Sequence, residues 1–313
     1  RAVADICEEI GINVVFGPNL DMVKNIDGDT SIEVQDRSYG NNYVVISDLS
    51  VSYLKGFGSN GKVLPVVKHF GNSFSETDPH NETTQSISTK KDGSIIPWRD
   101  IINASSVEER KEKKENLKSK YQQELDTLLE EESRDKKVLR SSRDKIKQKK
   151  TQKSKDRQQR IAYLRNEIKK LKDGISLVDG KKDFHVGIMP STSTVNYYAN
   201  NDQVIPVVYN GPQIKKIRDS KEEGGLGHKG PIFSDDLWMR SAGNYIDRLK
   251  EVSKADVSKE ALAVYEALGS GNTVALIKAV AGSEERIAKE VEKLINEKAS
   301  FARERKILSP SHN

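Results

Sequence analysis

Between Lys68 and His80 the chain reads KHFGNSFSETDPH, which places two of its five histidines, a lysine and two acids within thirteen residues. Gly, Asn, Ser and Thr separate them, a composition that suits a loop better than a core element. Lys68 and His69 close the apolar run VLPVV, and Asp78-Pro79-His80 lies on the loop that follows. Two further groups hold comparable places. Asp235-Asp236 closes the run PIFS, and Arg37 stands in DRSYG, after an earlier apolar run. A cationic pair, an acid beside a histidine and a separate carboxylate together suit a polar, hydroxyl-rich ligand that must meet a nucleophile and a proton donor. Each residue also has a plain structural use. Either aspartate of the 235–236 pair suits the N-cap of a following helix. Lys68 suits a strand end from which its ammonium reaches water, and His80 suits an ordinary loop.

Those groups meet only if strands carry them to one face. Ala2, Val3, Ile6 and Ile10 fall at helical spacing and predict a helix over about 2–10. A β-rich run, GINVVFG (11–17), follows it; then comes a helix through Val45, Leu49 and Tyr53, ended by Gly56 and Gly58. KVLPVVKHF (62–70) is the next strand. FHVGIM (184–189), QVIPVVY (203–209), GPIFSDD (230–236) and NTVALIK (272–278) read as strands or strand-like runs. Helices are predicted near 212–220, through Ala261, Val264, Tyr265 and Leu268, and through Ile287, Val291, Leu294 and Ile295. Continuous apolar strands alternating with amphipathic helices indicate a parallel sheet covered on both faces. The expected fold is therefore α/β, a (β/α)8-type TIM barrel, whose reactive groups sit at the C-terminal ends of strands. About six strands are visible and the chain opens at Arg1 inside a helix, so one or more N-terminal strands are expected to be missing.

The middle of the chain is a different physical object. No Gly or Pro occurs from 105 to 173, and residues 107–172 hold 23 Lys and Arg against 13 Asp and Glu, a net +10. The whole chain carries +5, so the remainder is mildly acidic at −5. Leu117, Tyr121, Leu125 and Leu128 step by three or four, as do Ile161, Leu164, Ile168 and Leu171, which gives two helices one narrow apolar stripe each. Between the stripes, RSSRDKIKQKKTQKSKDR (140–157) has nine basic residues against two acidic ones. The prediction is an antiparallel helical hairpin or coiled coil with a basic tip. It divides the chain into 1–104 (first part of the barrel), 105–183 (the inserted hairpin) and 184–313 (second part of the barrel and a C-terminal helix). Such an arm can serve as a solvated spacer or dimerisation element, or bind a protein or a polyanion (nucleic acid, anionic lipid or wall polymer). Lysine runs raise affinity for any polyanion through counterion release. Tyr121 and Tyr163 are its only aromatics, which speaks against stacking on single-stranded nucleic acid. The single cysteine, Cys7, excludes an internal disulfide, and no apolar run approaches the ~20 residues that span a bilayer.

The sequence resembles the single-domain β-N-acetylhexosaminidases of glycoside hydrolase family 3. The shared text is IGINVVFGPNLDM (10–22), DRSYG (36–40), LPVVKHFGNSFSETDPH (64–80) and GPIFSDDLWM (230–239), in the family's order, and it covers most of 1–104 and 184–300. The resemblance implies a retaining exo-β-N-acetylglucosaminidase acting on peptidoglycan fragments or related GlcNAc glycosides, with no metal or organic cofactor. Asp235 would then be the nucleophile, His80 the acid/base, and Asp78 the carboxylate that orients and polarises its imidazole. Arg37, Lys68 and His69 would bind hydroxyls or the acetamido group of the sugar in the −1 subsite. This chain departs from the family at several points. The loop begins KHFGNSF where the family has KHFPGHG and is one residue shorter before Asp78, the early E-G-G turn is absent, GIMPSTS lacks a histidine, and Trp238 replaces a small residue. The departures and the basic arm favour a second expectation, a catalytically impaired glycosidase-like barrel working as a structural or adaptor protein. Phosphorolysis in place of hydrolysis is also open, since a histidine repels phosphate less than a carboxylate does. A cytoplasmic enzyme and one of the cell envelope would look alike from residue 1 onward.

Overall fold

Runs rich in Val, Ile and Phe favour extended backbone, because branched and aromatic side chains pack well on a pleated surface. The computed structural model describes residues 1–22, 38–40, 42–58, 61–71, 85–86, 95–102, 107–141, 147–172, 185–192, 194–195, 205–220 and 222–297. The apolar runs form β1 (Val14–Asn19), β2 (Leu64–Phe70), β4 (Gly187–Pro190), β6 (Phe233–Asp236) and β7 (Val274–Leu276), with β3 (Gln85–Ser86) and β5 (Thr194–Val195) as two-residue pieces. The helices are α1 (Ala2–Glu9), α2 (Tyr43–Gly58), α3 (Ile95–Ile102), α4 (Val107–Ser141), α5 (Lys147–Lys172), α6 (Gly211–Arg218), α7 (Arg240–Ser253), α8 (Lys259–Gly269) and α9 (Glu284–Asn296). None of them is long and apolar enough to cross a membrane. Two compact units result, Arg1–Ala104 with Lys181–Asn313, and Ser105–Gly180.

In the first unit β1, β2 and β4 form a parallel sheet in that order, and β6 pairs in parallel with β7. A parallel bridge from Ile188 to Ile232, with the Ile188 N–H donating to the Pro231 carbonyl at 3.1 Å, links β4 to the approach to β6. The C-terminal ends of these five strands therefore lie on one side. Ile46, Leu54, Val67, Phe70, Trp98, Ile188 and Ile232 belong to one buried cluster, in which the Phe70 and Trp98 rings meet edge to face at 5.3 Å. Ala242, Ile246 and Leu249 of α7 join Leu262 of α8 and Ile287 of α9 in a second. Helix starts follow capping chemistry: the Asn42 side chain accepts from the N–H groups of Val44 and Val45, and the Ser258 hydroxyl from that of Ala261.

The α/β class with parallel strands is as expected; closure into an eight-stranded barrel is not seen among the described residues. In QVIPVVY, expected as a strand-like run, Val207–Tyr209 instead form a 3-10 turn, and residues 203–204 lie outside the described residues. Pro206 has no N–H to offer a ladder, and the Val208 N–H reaches the Ser191 carbonyl at 3.0 Å before the chain turns. Helices α3 and α7 were not predicted.

Gly187 of β4 is closely approached by side chains of β6 and β2. A Cβ there would lie 2.9 Å from the Phe233 ring and 3.1 Å from a Val66 methyl. Gly187→Val is expected to destabilise the protein by about 1–3 kcal/mol through overpacking, read as a lowered midpoint of thermal unfolding.

In the second unit α4 and α5 run antiparallel. Glu124 pairs with Arg160, whereas Glu131 and Asp135, further along α4, pair with Arg157, which is earlier in α5. The expected stripes meet: Leu125, Ile161, Leu164 and Ile168 form a buried cluster flanked by Tyr121, Leu128, Leu129 and Tyr163. Arg160 forks onto both carboxylate oxygens of Glu124 at 2.8 and 3.0 Å while its guanidinium lies 4.8 Å over the Tyr163 ring. Exposed ion pairs contribute about 0–1 kcal/mol each, so the apolar seam holds the hairpin and the pairs set its register. Residues 142–146 of the expected basic tip, and the side chains from 136 to 153, lie outside the described residues.

Candidate active site

Parallel pairing aligns the C-terminal ends of β1, β2 and β4. Asn19 stands opposite Lys68, and Lys68 opposite Met189. The chain leaves β1 through a pinned turn. The Leu20 N–H donates to the Lys68 carbonyl at 2.6 Å, the Asn19 side chain accepts the Asp21 N–H at 2.9 Å, and the Ser38 hydroxyl donates to the Asp21 carbonyl at 2.8 Å. That turn sets Asp21, only 1% exposed, against His69 at the end of β2. One Asp21 carboxylate oxygen accepts the backbone N–H of His69 at 3.2 Å, and the other lies 2.7 Å from its Nδ1.

The far side of the imidazole faces β6. His69 Nε2 lies 3.8 Å from Oδ2 of Asp235, which is buried. Asp235 Oδ1 accepts the N–H of Asp236 at 2.9 Å, and Asp236 Oδ1 accepts that of Trp238 at 3.0 Å. The N-cap residue of α7 is Met239, so neither aspartate caps the helix. Asp236 closes the turn and Asp235 is left turned to His69. The Ser234 hydroxyl accepts the Leu276 N–H at 2.6 Å and fastens this strand end to β7.

Burial alone pulls the His69 pKa down, because it disfavours the charged ring. The neighbouring charges of Asp21 and then Asp235, with the hydrogen bond to Asp21, outweigh that effect and the opposing charge of Lys68, so the pKa stands above 6.5. A carboxylate held by a backbone N–H on one oxygen and faced by an imidazole on the other is buried and oriented. Those are the properties of a nucleophile or of a group that stabilises developing positive charge. Among the described residues no cluster of three or more His, Cys, Asp or Glu side chains is arranged to hold a metal ion.

Of the residues singled out in the sequence, Lys68, His69 and Asp235 are described. The fold brings His69 and Asp235 together, with Lys68 beside them on β2. Arg37, Asp78 and His80 lie outside the described residues. Asp21 was not singled out, although its carboxylate lies 2.7 Å from the His69 ring.

No family profile matches the sequence, and no curated protein matches it. Solved structures are similar. Zinc-bound CbsA from Thermotoga neapolitana superposes with a TM-score of 0.55 at 15% identity, over 98% of this chain and 46% of its own. A fungal multi-domain GH3 β-N-acetylglucosaminidase gives 0.56 at 15% identity, over 98% and 26%. The β-N-acetylhexosaminidase from Beutenbergia cavernae gives 0.55 at 12% identity, over 96% and 62%. The chain thus spans less than two thirds of the length of each. At these identities the likeness is one of fold, that of glycoside hydrolase family 3 proteins.

Proposed function

We propose that this chain carries the active site of a retaining exo-β-N-acetylglucosaminidase, on a (β/α)8-type barrel interrupted by the helical segment 105–183. The observation that carries the reading is the buried Asp235 carboxylate, aligned by the Asp21-bound His69 across the C-terminal ends of parallel strands, where such folds place their chemistry. The substrates would be GlcNAc glycosides, peptidoglycan-derived fragments among them.

In the first step an Asp235 oxygen attacks the anomeric carbon while the bond to the leaving oxygen breaks. His80, its imidazole held by Asp78, gives that oxygen a proton. In the second step His80 takes a proton from water, the water oxygen attacks the same carbon, and Asp235 departs as carboxylate. An ordinary histidine pKa near 6.5 suits both halves of this exchange at neutral pH. Arg37, Lys68 and His69 would bind the hydroxyls or acetamido group of the −1 sugar. Phosphate in place of water would give phosphorolysis by the same route.

A second reading rests on the helical unit Ser105–Gly180, which forms its own compact body. In it, a catalytically impaired barrel carries the arm as the working part, toward a protein or polyanion. The test is release of 4-nitrophenol from its β-N-acetylglucosaminide by the full chain, with the first-formed sugar anomer read by NMR. Release with the β-anomer appearing first supports the retaining glycosidase, and the α-anomer appearing first rules out retention. No release from folded protein, on this substrate and on peptidoglycan-derived GlcNAc fragments, moves the function to the arm.

A further inference from the structure

We propose that Asp21 is a positioning residue of this site, one that fixes the tautomer of His69 and aims its Nε2 at the Asp235 carboxylate. The inference rests on the reading of Asp235 as the nucleophile, and it adds a residue that this reading does not contain.

Both oxygens of Asp21 are given to one residue, the first to the His69 backbone N–H at 3.2 Å and the second to Nδ1 at 2.7 Å. A carboxylate this deeply buried is costly unless paired and hydrogen-bonded, and here the pairing partner is the ring. The position is itself constructed: Asn19, Ser38 and the Lys68 carbonyl fix the turn that presents Asp21. At 2.7 Å from a buried carboxylate oxygen, Nδ1 must carry a proton, since two acceptors cannot share that distance. Nε2 is then the nitrogen that titrates, and it lies 3.8 Å from Asp235 Oδ2. The described charges that face the ring are Asp21 beyond the end of β1, Asp235 from β6, and Lys68 from its own strand. Burial opposes the imidazolium most, the two carboxylates favour it and Lys68 opposes it, and the balance lies above the ordinary histidine value. A proton held on Nε2 faces one oxygen of Asp235.

Asp21→Asn tests this, because an amide keeps the shape and admits the wrong tautomer. With the full chain labelled with 15N-histidine, and His69→Gln used to assign the resonance, wild type is expected to show a proton on Nδ1 at high pH and a His69 titration above 6.5. In Asp21→Asn the largest upward influence on the ring is gone, so the titration should move down and the tautomer become mixed or reversed. On 4-nitrophenyl β-N-acetylglucosaminide, kcat should fall about 10- to 100-fold, the usual cost of losing an orienting partner. KM should change little and the alkaline limb should shift to lower pH, while Asp21→Glu recovers part of the loss. A purely structural Asp21 would change the unfolding temperature and leave the His69 titration where it was.

The wild-type tautomer keeps the claim open to refutation even if Asp21→Asn does not fold: a neutral ring protonated on Nε2 overturns it. An unchanged titration in folded Asp21→Asn overturns it too, whatever the activity. A wild-type chain with the Asp21-dependent titration and no turnover of GlcNAc glycosides would overturn the glycosidase reading and support the positioning role.

Discussion

Asp235→Ala is expected to leave a folded protein that has lost about 10⁴-fold or more in kcat on 4-nitrophenyl β-N-acetylglucosaminide, the order reached when a covalent nucleophile is removed. The expectation follows from what Asp235 touches. One oxygen takes a single short hydrogen bond, from the next residue's N–H, and the other faces an imidazole 3.8 Å away. The second contact reaches from β6 to β2, but at 3.8 Å it is no hydrogen bond, so the loss of stability should stay within about 1–2 kcal/mol. The chemistry has no substitute: no other described carboxylate faces His69 from the ligand side. Truncation to a methyl group leaves room for a small anion on the face that the carboxylate occupied. Azide entering there attacks the anomeric carbon of the substrate directly and releases nitrophenol, with inversion. The predicted product is the α-glycosyl azide, and its appearance together with a partial return of rate would identify Asp235 as the nucleophile. Full activity in Asp235→Ala would end that assignment.

The sequence was most readable where one local property decides the outcome. Val66, Val67 and Ile188 sit in continuous apolar runs and became central strands. The stripe Leu125, Ile161, Leu164 and Ile168 lies between charged residues, and its period marks the buried seam of the hairpin. Helix α7 was harder to read. Ala242, Ile246 and Leu249 do recur at helical spacing, but Asn244, Asp247 and Arg248 interrupt them in a stretch that begins straight after a candidate site. Val207 and Val208 misled in the opposite sense, since valines favour a strand while Pro206 and the 3-10 turn over Val207–Tyr209 override them. At the site, Lys68, His69 and Asp235 were visible because each ends an apolar run. Asp21 ends one too, in FGPNLDM, but nothing local separates it from an ordinary turn aspartate. Its partner is 48 residues away, and only strand pairing shows that the turn after β1 meets the end of β2. The signal that could have found it is positional: in a parallel sheet, an acid just past one strand end and a histidine at the next are candidates for a pair.

His80→Ala separates proton transfer from nucleophilic attack, and its effect should depend on the leaving group. Nitrophenolate leaves without a proton, so formation of the Asp235-linked intermediate from the nitrophenyl glycoside should be little changed. An alkoxide leaving group needs protonation, so a GlcNAc disaccharide should lose the full contribution of a general acid, about 10²- to 10⁴-fold. The second half of the reaction also loses its base. On the nitrophenyl substrate the intermediate should therefore accumulate, giving a burst of nitrophenol equal to the enzyme followed by slow turnover. Azide requires no base and should lift that slow phase by attacking the intermediate. Because the sugar is then already inverted once on Asp235, the product is the β-glycosyl azide, the opposite anomer to the one from Asp235→Ala. Two anomers from two variants with one reagent would place the nucleophile and the acid/base on opposite faces of the sugar. Equal losses for His80→Ala on both leaving groups, without a burst, would remove His80 from the acid role. The Asp235 assignment would stand, because its own test rests on the α-anomer alone.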